Sequence, residues 1–330
     1  MRGDFILQEQ FILDCQPVKN LIKSLSMKKV IEVKNLVKKY GKLTAVDDIS
    51  FYVNKGEVFG LLGENGAGKT STLEMIEGLR RPTSGKINVL DCDVRKKLEC
   101  IKERIGVQLQ SSAYYQFLTL SEILSLFGSF YSKNLNIDEL LEMVDLKEKS
   151  SSYVGSLSGG QKQRFSIIAS LINDPEIVFL DEPTTGLDPL ARRNLWDLIT
   201  KIKSQGKTVV LTTHYMEEAE VLCDRVAIME SGKILAMDET HKLIERSRYP
   251  FTITFIKEKL SSVLLKKLKN LAVVENIFGK ENTYFLKIKT NKEMNEALNI
   301  VQMMNPESLT VGRATLEDLF VELTGKTIED

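Results

Sequence analysis

The sequence is short of the residues that build most metal and redox sites. It holds two histidines, four cysteines and one tryptophan in 330 residues. Cys15, Cys92, Cys100 and Cys223 show no C-x-x-C spacing, and His214 and His241 stand apart from them. That pattern argues against a Cys/His zinc site. Free, reduced thiols are expected. Net charge is lacking too: 45 Lys and Arg balance 45 Asp and Glu, so no global positive field gathers nucleic acid. No run of eighteen apolar residues occurs, so no segment reads as a membrane-spanning helix. The apolar patches Phe5 to Leu7 and Phe11 to Leu13 are broken by Asp4, Glu9 and Asp14 and are too short for a secretory signal. What is present is an ordinary globular composition, 43% hydrophobic and 27% charged, on a length that suits about two domains.

The chain changes character near Met27. Residues 1–26 read either as a loosely held extension ahead of an alternative start or as an N-terminal helix docked on the body. From Val30 onward, strand patterns alternate with helical ones. Val30 to Val37, Ile49 to Val53, Val58 to Leu62, Ile177 to Leu180, Thr208 to Thr212 and Arg225 to Met229 read as strands. Lys69 to Leu79, residues 161–173, Leu190 to Ser204 and Met216 to Cys223 read as helices. This alternation predicts an α/β domain with a mostly parallel sheet plus antiparallel strands, spanning 27–248, with a helical subdomain at about 113–155. A fresh pattern begins near Pro250. Its order βαββαβ predicts a C-terminal α+β, ferredoxin-like domain over 249–330, whose last helix covers about Leu316 to Leu323.

Gly63-Glu64-Asn65-Gly66-Ala67-Gly68-Lys69-Thr70 matches G-x-x-x-x-G-K-[ST]. Phosphate binding needs these residue types. Glycines let backbone N–H groups approach an anion without a Cβ in the way, and the following helix points its N-terminus at the same anion. Lys69 supplies a compact charge for the β- and γ-phosphates, the Thr70 hydroxyl suits Mg²⁺, and Ser71 is placed for the α-phosphate. About a hundred residues on, Leu180-Asp181-Glu182 ends a buried strand. There Asp181 suits Mg²⁺ and Glu182 the attacking water.

Leu157-Ser158-Gly159-Gly160-Gln161 opens another helix, a second anion-binding terminus. With this string the chain resembles the nucleotide-binding subunits of ATP-binding-cassette (ABC) transporters, whose signature is LSGGQ. The resemblance covers about residues 28–325 and implies that this loop binds the γ-phosphate of ATP held by the opposite subunit. It also implies that Tyr40 stacks on adenine, that Gln110 reaches Mg²⁺ and the attacking water, that Asp188 of Gly186-Leu187-Asp188 meets the other subunit, and that His214 is the switch histidine. Gln108 competes with Gln110, and the family's spacing from Ile105-Gly106 favours Gln110. The string Thr315-Leu316-Glu317-Asp318-Leu319-Phe320 onward is similar to that of daunorubicin-resistance-type exporter ATPases. One departure from the family pattern is Asp91, where many relatives carry Gly in a turn.

The resemblance implies an ATPase using ATP and Mg²⁺. It would work as a homodimer with ATP sandwiched between the phosphate loop of one copy and the signature loop of the other. A separate multi-spanning permease would hold it at the inner face of the cell membrane. Tyr114 and Tyr115, after the glutamine loop, are either permease contacts or helical-subdomain packing. The rival reading is a soluble ABC ATPase acting on ribosomes or DNA. Such relatives usually carry two cassettes or a long coiled-coil insertion, and this chain has neither. No nucleic-acid partner is expected.

Overall fold

A computed structural model describes residues 28–109, 114–258, 260–276 and 282–325. The N-terminal segment 1–26, the expected start at Met27 and the loop glutamine Gln110 lie outside the described residues. The chain divides into two compact units. One comprises the described residues up to Phe59 together with Thr70–Thr212, and the other Gly60–Lys69 with the described residues from Thr213 on.

In the first unit, β1 (Lys29–Tyr40) and β2 (Leu43–Asn54) form an antiparallel hairpin, turned at Gly41. With β4 (Ser84–Val89) and β5 (Cys92–Asp93) they make a four-stranded sheet of order β2-β1-β4-β5. The turn before β5 runs through Leu90 and Asp91, both with positive φ (50° and 66°). Asp91 thus takes the left-handed conformation that Gly adopts at no cost. The P-loop helix α1 (Lys69–Ile76) follows β3 (Val58–Leu62). A short helix α2 (Glu99–Lys102) leads into β6 (Ile105–Gln108). Strands β7 (Ile177–Asp181) and β8 (Thr208–Thr213) are buried at every position, as strands covered on both faces require. β6, β7 and β8 pair in parallel.

Cys92 and Cys100 are joined by a disulfide, which corrects the expectation of free thiols for this pair; Cys15 lies outside the described residues. The chain doubles back from β5 into α2 and brings the two Cα atoms to 6.4 Å, inside the span a disulfide can bridge. Cys223 is a buried thiol.

Residues 114–170 are mainly helical. Helix α3 (Leu120–Gly128) starts at a capping box between Thr119 and Glu122, which satisfies two orphan donors of the first turn. Helix α4 (Ile137–Met143) is capped by Asn136. Helix α5 (Gly159–Ala169) starts at Ser158, and α6 (Pro189–Ser204) at Asp188 with Pro at its first position.

The second unit contains the phosphate loop, α7 (Met216–Leu222), the antiparallel pair β9 (Arg225–Glu230) and β10 (Lys233–Glu239), and α8 (Thr240–Glu245). Beyond Pro250 come β11 (Phe251–Ile256), α9 (Ser262–Leu271), β12 (Val273–Asn276), β13 (Thr283–Ile288), α10 (Asn291–Met303) and β14 (Ser308–Arg313). Their sheet has order β12-β13-β11-β14 and is antiparallel throughout. Alternate residues Ile253, Phe255, Leu286 and Ile288 face Leu268, Ala297 and Val301 in one apolar core.

The last helix, α11 (Leu316–Thr324), leaves that sheet and lies against α7 and α8. Leu316 and Phe320 are fully buried on it. The Glu220 carboxylate of α7 accepts from the Leu316 N–H at 3.3 Å. At the other end, Glu322 accepts from the Arg248 N–H at 3.0 and 3.1 Å and from the Ser247 hydroxyl at 3.0 Å.

Candidate active site

Gly63 ends β3 at a point where the backbone comes close to β9. A Cβ there would sit 2.3 Å from the Met229 carbonyl oxygen, so no other residue fits without displacing the strand. Its N–H donates to the Thr213 carbonyl at 3.3 Å, and Gly232 N–H donates to the Ala67 carbonyl at 3.1 Å. The loop is thereby tied to the β8 end and to the β9–β10 turn. Gly66 and Gly68 have φ of 84° and 99°, which turns successive backbone dipoles one way around Asn65 and Ala67. Lys69 is buried at 4% exposure. Its ammonium donates to the carbonyls of Gly63 (2.8 Å) and Glu64 (3.1 Å), so a fixed cation sits within its own loop.

The acidic pair lies at the end of β7. Thr70 Oγ1 donates to Asp181 Oδ1 at 3.3 Å. The Thr212 hydroxyl, at the end of β8, donates to the same oxygen at 2.5 Å and accepts from the Glu182 N–H at 2.9 Å. Thr185 Oγ1 donates to Glu182 Oε2 at 3.2 Å. Both carboxylates are nearly buried, at 5% and 8% exposure. Glu182 has a φ of 47°, a left-handed conformation that costs a non-glycine residue roughly 1–3 kcal/mol. That backbone turn ends the strand direction at Asp181, so successive carboxylates do not simply alternate across the sheet. Glu77, just past α1, is buried as well. Desolvation, with the nearby charges of Asp181 and then Glu74, pushes its carboxyl up to about 8.

Tyr40 ends β1, its hydroxyl 3.4 Å from the Ser71 hydroxyl. Its ring therefore stands beside the first turn of the P-loop helix. Gln108, the glutamine that competes with Gln110, is buried in β6 and donates to the Leu109 carbonyl at 2.7 Å. His214 follows β8, its ring centroid 4.1 Å from that of Tyr215.

Ser158 caps α5. Its hydroxyl accepts from the Gln161 N–H at 3.3 Å, while Gln161 Oε1 accepts from the Ser158 N–H at 3.1 Å and from Lys149 Nζ at 3.2 Å. Ser158 and Gly159 are exposed, with Gly160 partly so, and a Cβ on Gly159 would meet nothing within 4 Å. Asp188 is also exposed; its Oδ1 accepts from the Leu190 and Ala191 N–H groups at 3.0 and 2.9 Å.

The structure thus joins Thr70 to Asp181 and Tyr40 to Ser71, and gives Ser158 and Asp188 definite capping roles. Sequence reasoning missed Thr212, which holds both carboxylate-bearing residues. Its place in the doublet Thr212-Thr213 ahead of His214 was the available signal. It also missed Thr185 and Glu77.

Comparisons with known proteins point one way. The sequence profile of the family described as ABC transporter matches residues 46–185. The chain is 36% identical over 309 residues to a Nod factor export ATP-binding protein I of Burkholderia lata, covering 91% of this chain and 98% of that protein. It is 35% identical to a linearmycin resistance ATP-binding protein of Bacillus subtilis, covering 91% and 100%. Among solved structures it resembles an ATP binding subunit of an ABC transporter, with a TM-score of 0.60, 30% identity and coverage of 66% and 92%. It also resembles a dimeric ATP-binding cassette in a post-hydrolysis state bound to ADP and Pi, with a TM-score of 0.58, 26% identity and coverage of 63% and 98%.

Proposed function

The chain belongs to the ABC transporter family of ATP-binding subunits, and from that premise we propose how its residues divide the work of ATP hydrolysis and whom they serve. It is an ATPase subunit of the exporter type. We assign residues 27–248 to the nucleotide-binding domain and 249–330 to an accessory domain, whose strand order supports the ferredoxin-like reading.

The loop Gly63 to Thr70 holds the triphosphate, with Lys69 on the β- and γ-phosphates and Ser71 on the α-phosphate. Asn65, Gly66, Ala67 and Gly68 supply backbone N–H groups. Tyr40 carries the adenine. Thr70 and Asp181 offer hard oxygen ligands 3.3 Å apart, a donor set that suits Mg²⁺, with Gln110 the third candidate ligand. When bound, that ion supplies charge neutralisation at the β- and γ-phosphate oxygens. Glu182 orients the attacking water and takes its proton, and His214 contacts the γ-phosphate side of the site.

The observation that carries the partnership is the exposed N-terminus of α5. Gly159 is exposed and Gly160 partly so, beside a Ser158–Gln161 capping box, which leaves a helix N-terminus open to an anion brought from outside. A second copy supplies that ligand as the γ-phosphate of its ATP, and Asp188 lies in the same contact. Two ATP molecules then glue a two-fold pair. None of the described helices is long and apolar enough to cross a membrane. The relatives are named as ATP-binding proteins of export and resistance systems, which supports transport through a separate multi-spanning permease that would hold this subunit at the inner face of the membrane. The export named in its relatives supports an outward direction.

Affinity purification of the full chain from detergent-solubilised membranes tests this. A co-purifying polytopic membrane protein is the expected result. Co-sedimentation with ribosomes and no membrane partner would favour the soluble class instead.

A further inference from the structure

Tyr40 is not held by its hydroxyl alone. The Arg80 guanidinium lies over its ring, Cζ 5.4 Å from the centroid, and the Lys38 ammonium lies 4.9 Å from the same centroid. Both cations are tethered. Arg80 Nε and Nη2 donate to the two Glu74 carboxylate oxygens at 2.5 and 3.1 Å, a fork on a fork, and the Arg80 N–H donates to the Glu74 carbonyl at 3.0 Å. Lys38 Nζ donates to the Arg81 carbonyl at 2.8 Å. Thr83 adds a backbone tie, its hydroxyl accepting from the Lys39 N–H at 3.0 Å.

The turn after α1 therefore grips the end of β1 from several directions, and the grip converges on one aromatic ring. An exposed tyrosine at a strand end would ordinarily sample rotamers freely. A bidentate Arg–carboxylate pair is rigid, and a cation near an aromatic face adds attraction without closing the opposite face.

We propose that Arg80, anchored by Glu74 and assisted by Lys38, is a positioning residue for base recognition: it fixes the Tyr40 ring in the orientation that adenine stacks on. This rests on the reading of Tyr40 as the adenine platform. It accounts for an arginine and a glutamate six residues apart spanning the P-loop helix and its exit turn, beside the ring read as the adenine platform. Arg80 acts through Tyr40, so its effect must depend on both the ring and the base. It should not touch the triphosphate.

The test is equilibrium calorimetry on the purified full-length chain, with ATP and, separately, inorganic tripolyphosphate. Four proteins are compared with wild type: Tyr40→Ala, Arg80→Ala, Arg80→Lys and the double variant Tyr40→Ala/Arg80→Ala. Tyr40→Ala is expected to weaken ATP about tenfold, the scale of one base–aromatic stack, and Arg80→Ala about threefold to fivefold. Arg80→Lys restores part of the loss. The double variant binds ATP no more weakly than Tyr40→Ala, because the second change removes a support whose load is gone. All variants bind tripolyphosphate within about twofold of wild type, which also reports that they are folded. Unchanged ATP affinity in Tyr40→Ala would overturn the adenine-platform reading and the proposal with it. A normal Tyr40→Ala loss with no Arg80→Ala loss overturns the proposal alone. So does an additive double variant, or an equal loss of tripolyphosphate in Arg80→Ala, which would make Arg80 a phosphate ligand.

Discussion

The phosphate loop and the C-terminal sheet bury side chains on opposite terms. Around the loop and the β7 end, four ionisable groups are buried: Lys69, Glu77, Asp181 and Glu182. In the core under β11 and β13 the packed side chains are apolar, from Ile253 and Phe255 to Ala297 and Val301, and no buried charge is found there among the described residues, the buried polar groups of these two strands being the threonines Thr252 and Thr283. Burying a charge costs several kcal/mol before partners repay it, whereas burying an apolar side chain returns about 25 cal/mol per Å². The first region therefore draws on stability to hold chemistry in place, and the second supplies stability. It follows that substitutions in the loop should change ligand binding while leaving the fold, and substitutions in the C-terminal core should do the reverse.

The largest break in that comparison is at Lys69. Lys69→Ala leaves the fold intact but removes the cation aimed at the phosphates. Losing one partner of a buried charged contact costs about 2–5 kcal/mol, so ATP affinity should fall tens- to thousands-fold in equilibrium binding. Near-normal affinity would remove the loop from the site. The reciprocal probe is Leu286→Ala. Deleting a fully buried leucine costs about 2–5 kcal/mol, read as a lower denaturation midpoint of the C-terminal transition, while ATP affinity stays within about twofold. A parallel loss of affinity would mean that the two regions do not separate energetically.

The smallest effect sharpens the cost of burying charge. Glu77 ionises near 8 in the folded chain against a usual 4.5, so the folded state holds its proton more tightly than the unfolded state does. Its contribution is fully present below about pH 4.5 and is lost as pH rises through about 8. Glu77→Gln keeps a neutral group there at all pH. Denaturant unfolding should show wild-type stability falling relative to the variant between about pH 5 and pH 9, with a maximal slope of about 1.4 kcal/mol per pH unit. Parallel pH profiles would show that Glu77 is already ionised in the fold.

These differences also mark what the sequence could tell. The loop Gly63 to Thr70, the string at Ser158 and the strand ending in Asp181-Glu182 are local patterns, and a contiguous pattern survives in one dimension. The contacts that organise them are not local. Thr212 reaches Asp181 across 31 positions and Arg104 reaches Glu176 across 72. Cys92 and Cys100 bear no recognisable spacing, yet the turn into α2 brings them together. β6 is four residues long and contains a glycine, too short for periodicity to reveal. β10 has no fully buried position to give a clean alternation, and α8 is only six residues long, too short for a helical period to show. The break in pattern near Pro250 was legible, but the return of α11 to α7 and α8 was not. The motif around Leu316 encodes a helix, and only the fold says where it docks. Removing residues past Arg248 would therefore strip the partner from Glu220 as well as the accessory sheet.

ATP shared between two copies is the centre of the proposed mechanism, and Glu182→Gln probes it. The amide keeps the size of the side chain and its hydrogen-bonding shape but cannot take the water's proton as a carboxylate does, a loss worth about 10²–10⁴ in hydrolysis rate. It also removes a negative charge beside the γ-phosphate. Light scattering coupled to size exclusion should find the full-length variant monomeric without nucleotide and dimeric at saturating ATP, and adding Ser158→Arg should return it to monomer. A Glu182→Gln protein that binds ATP yet stays monomeric, or a dimer that survives Ser158→Arg, would contradict the shared-site account.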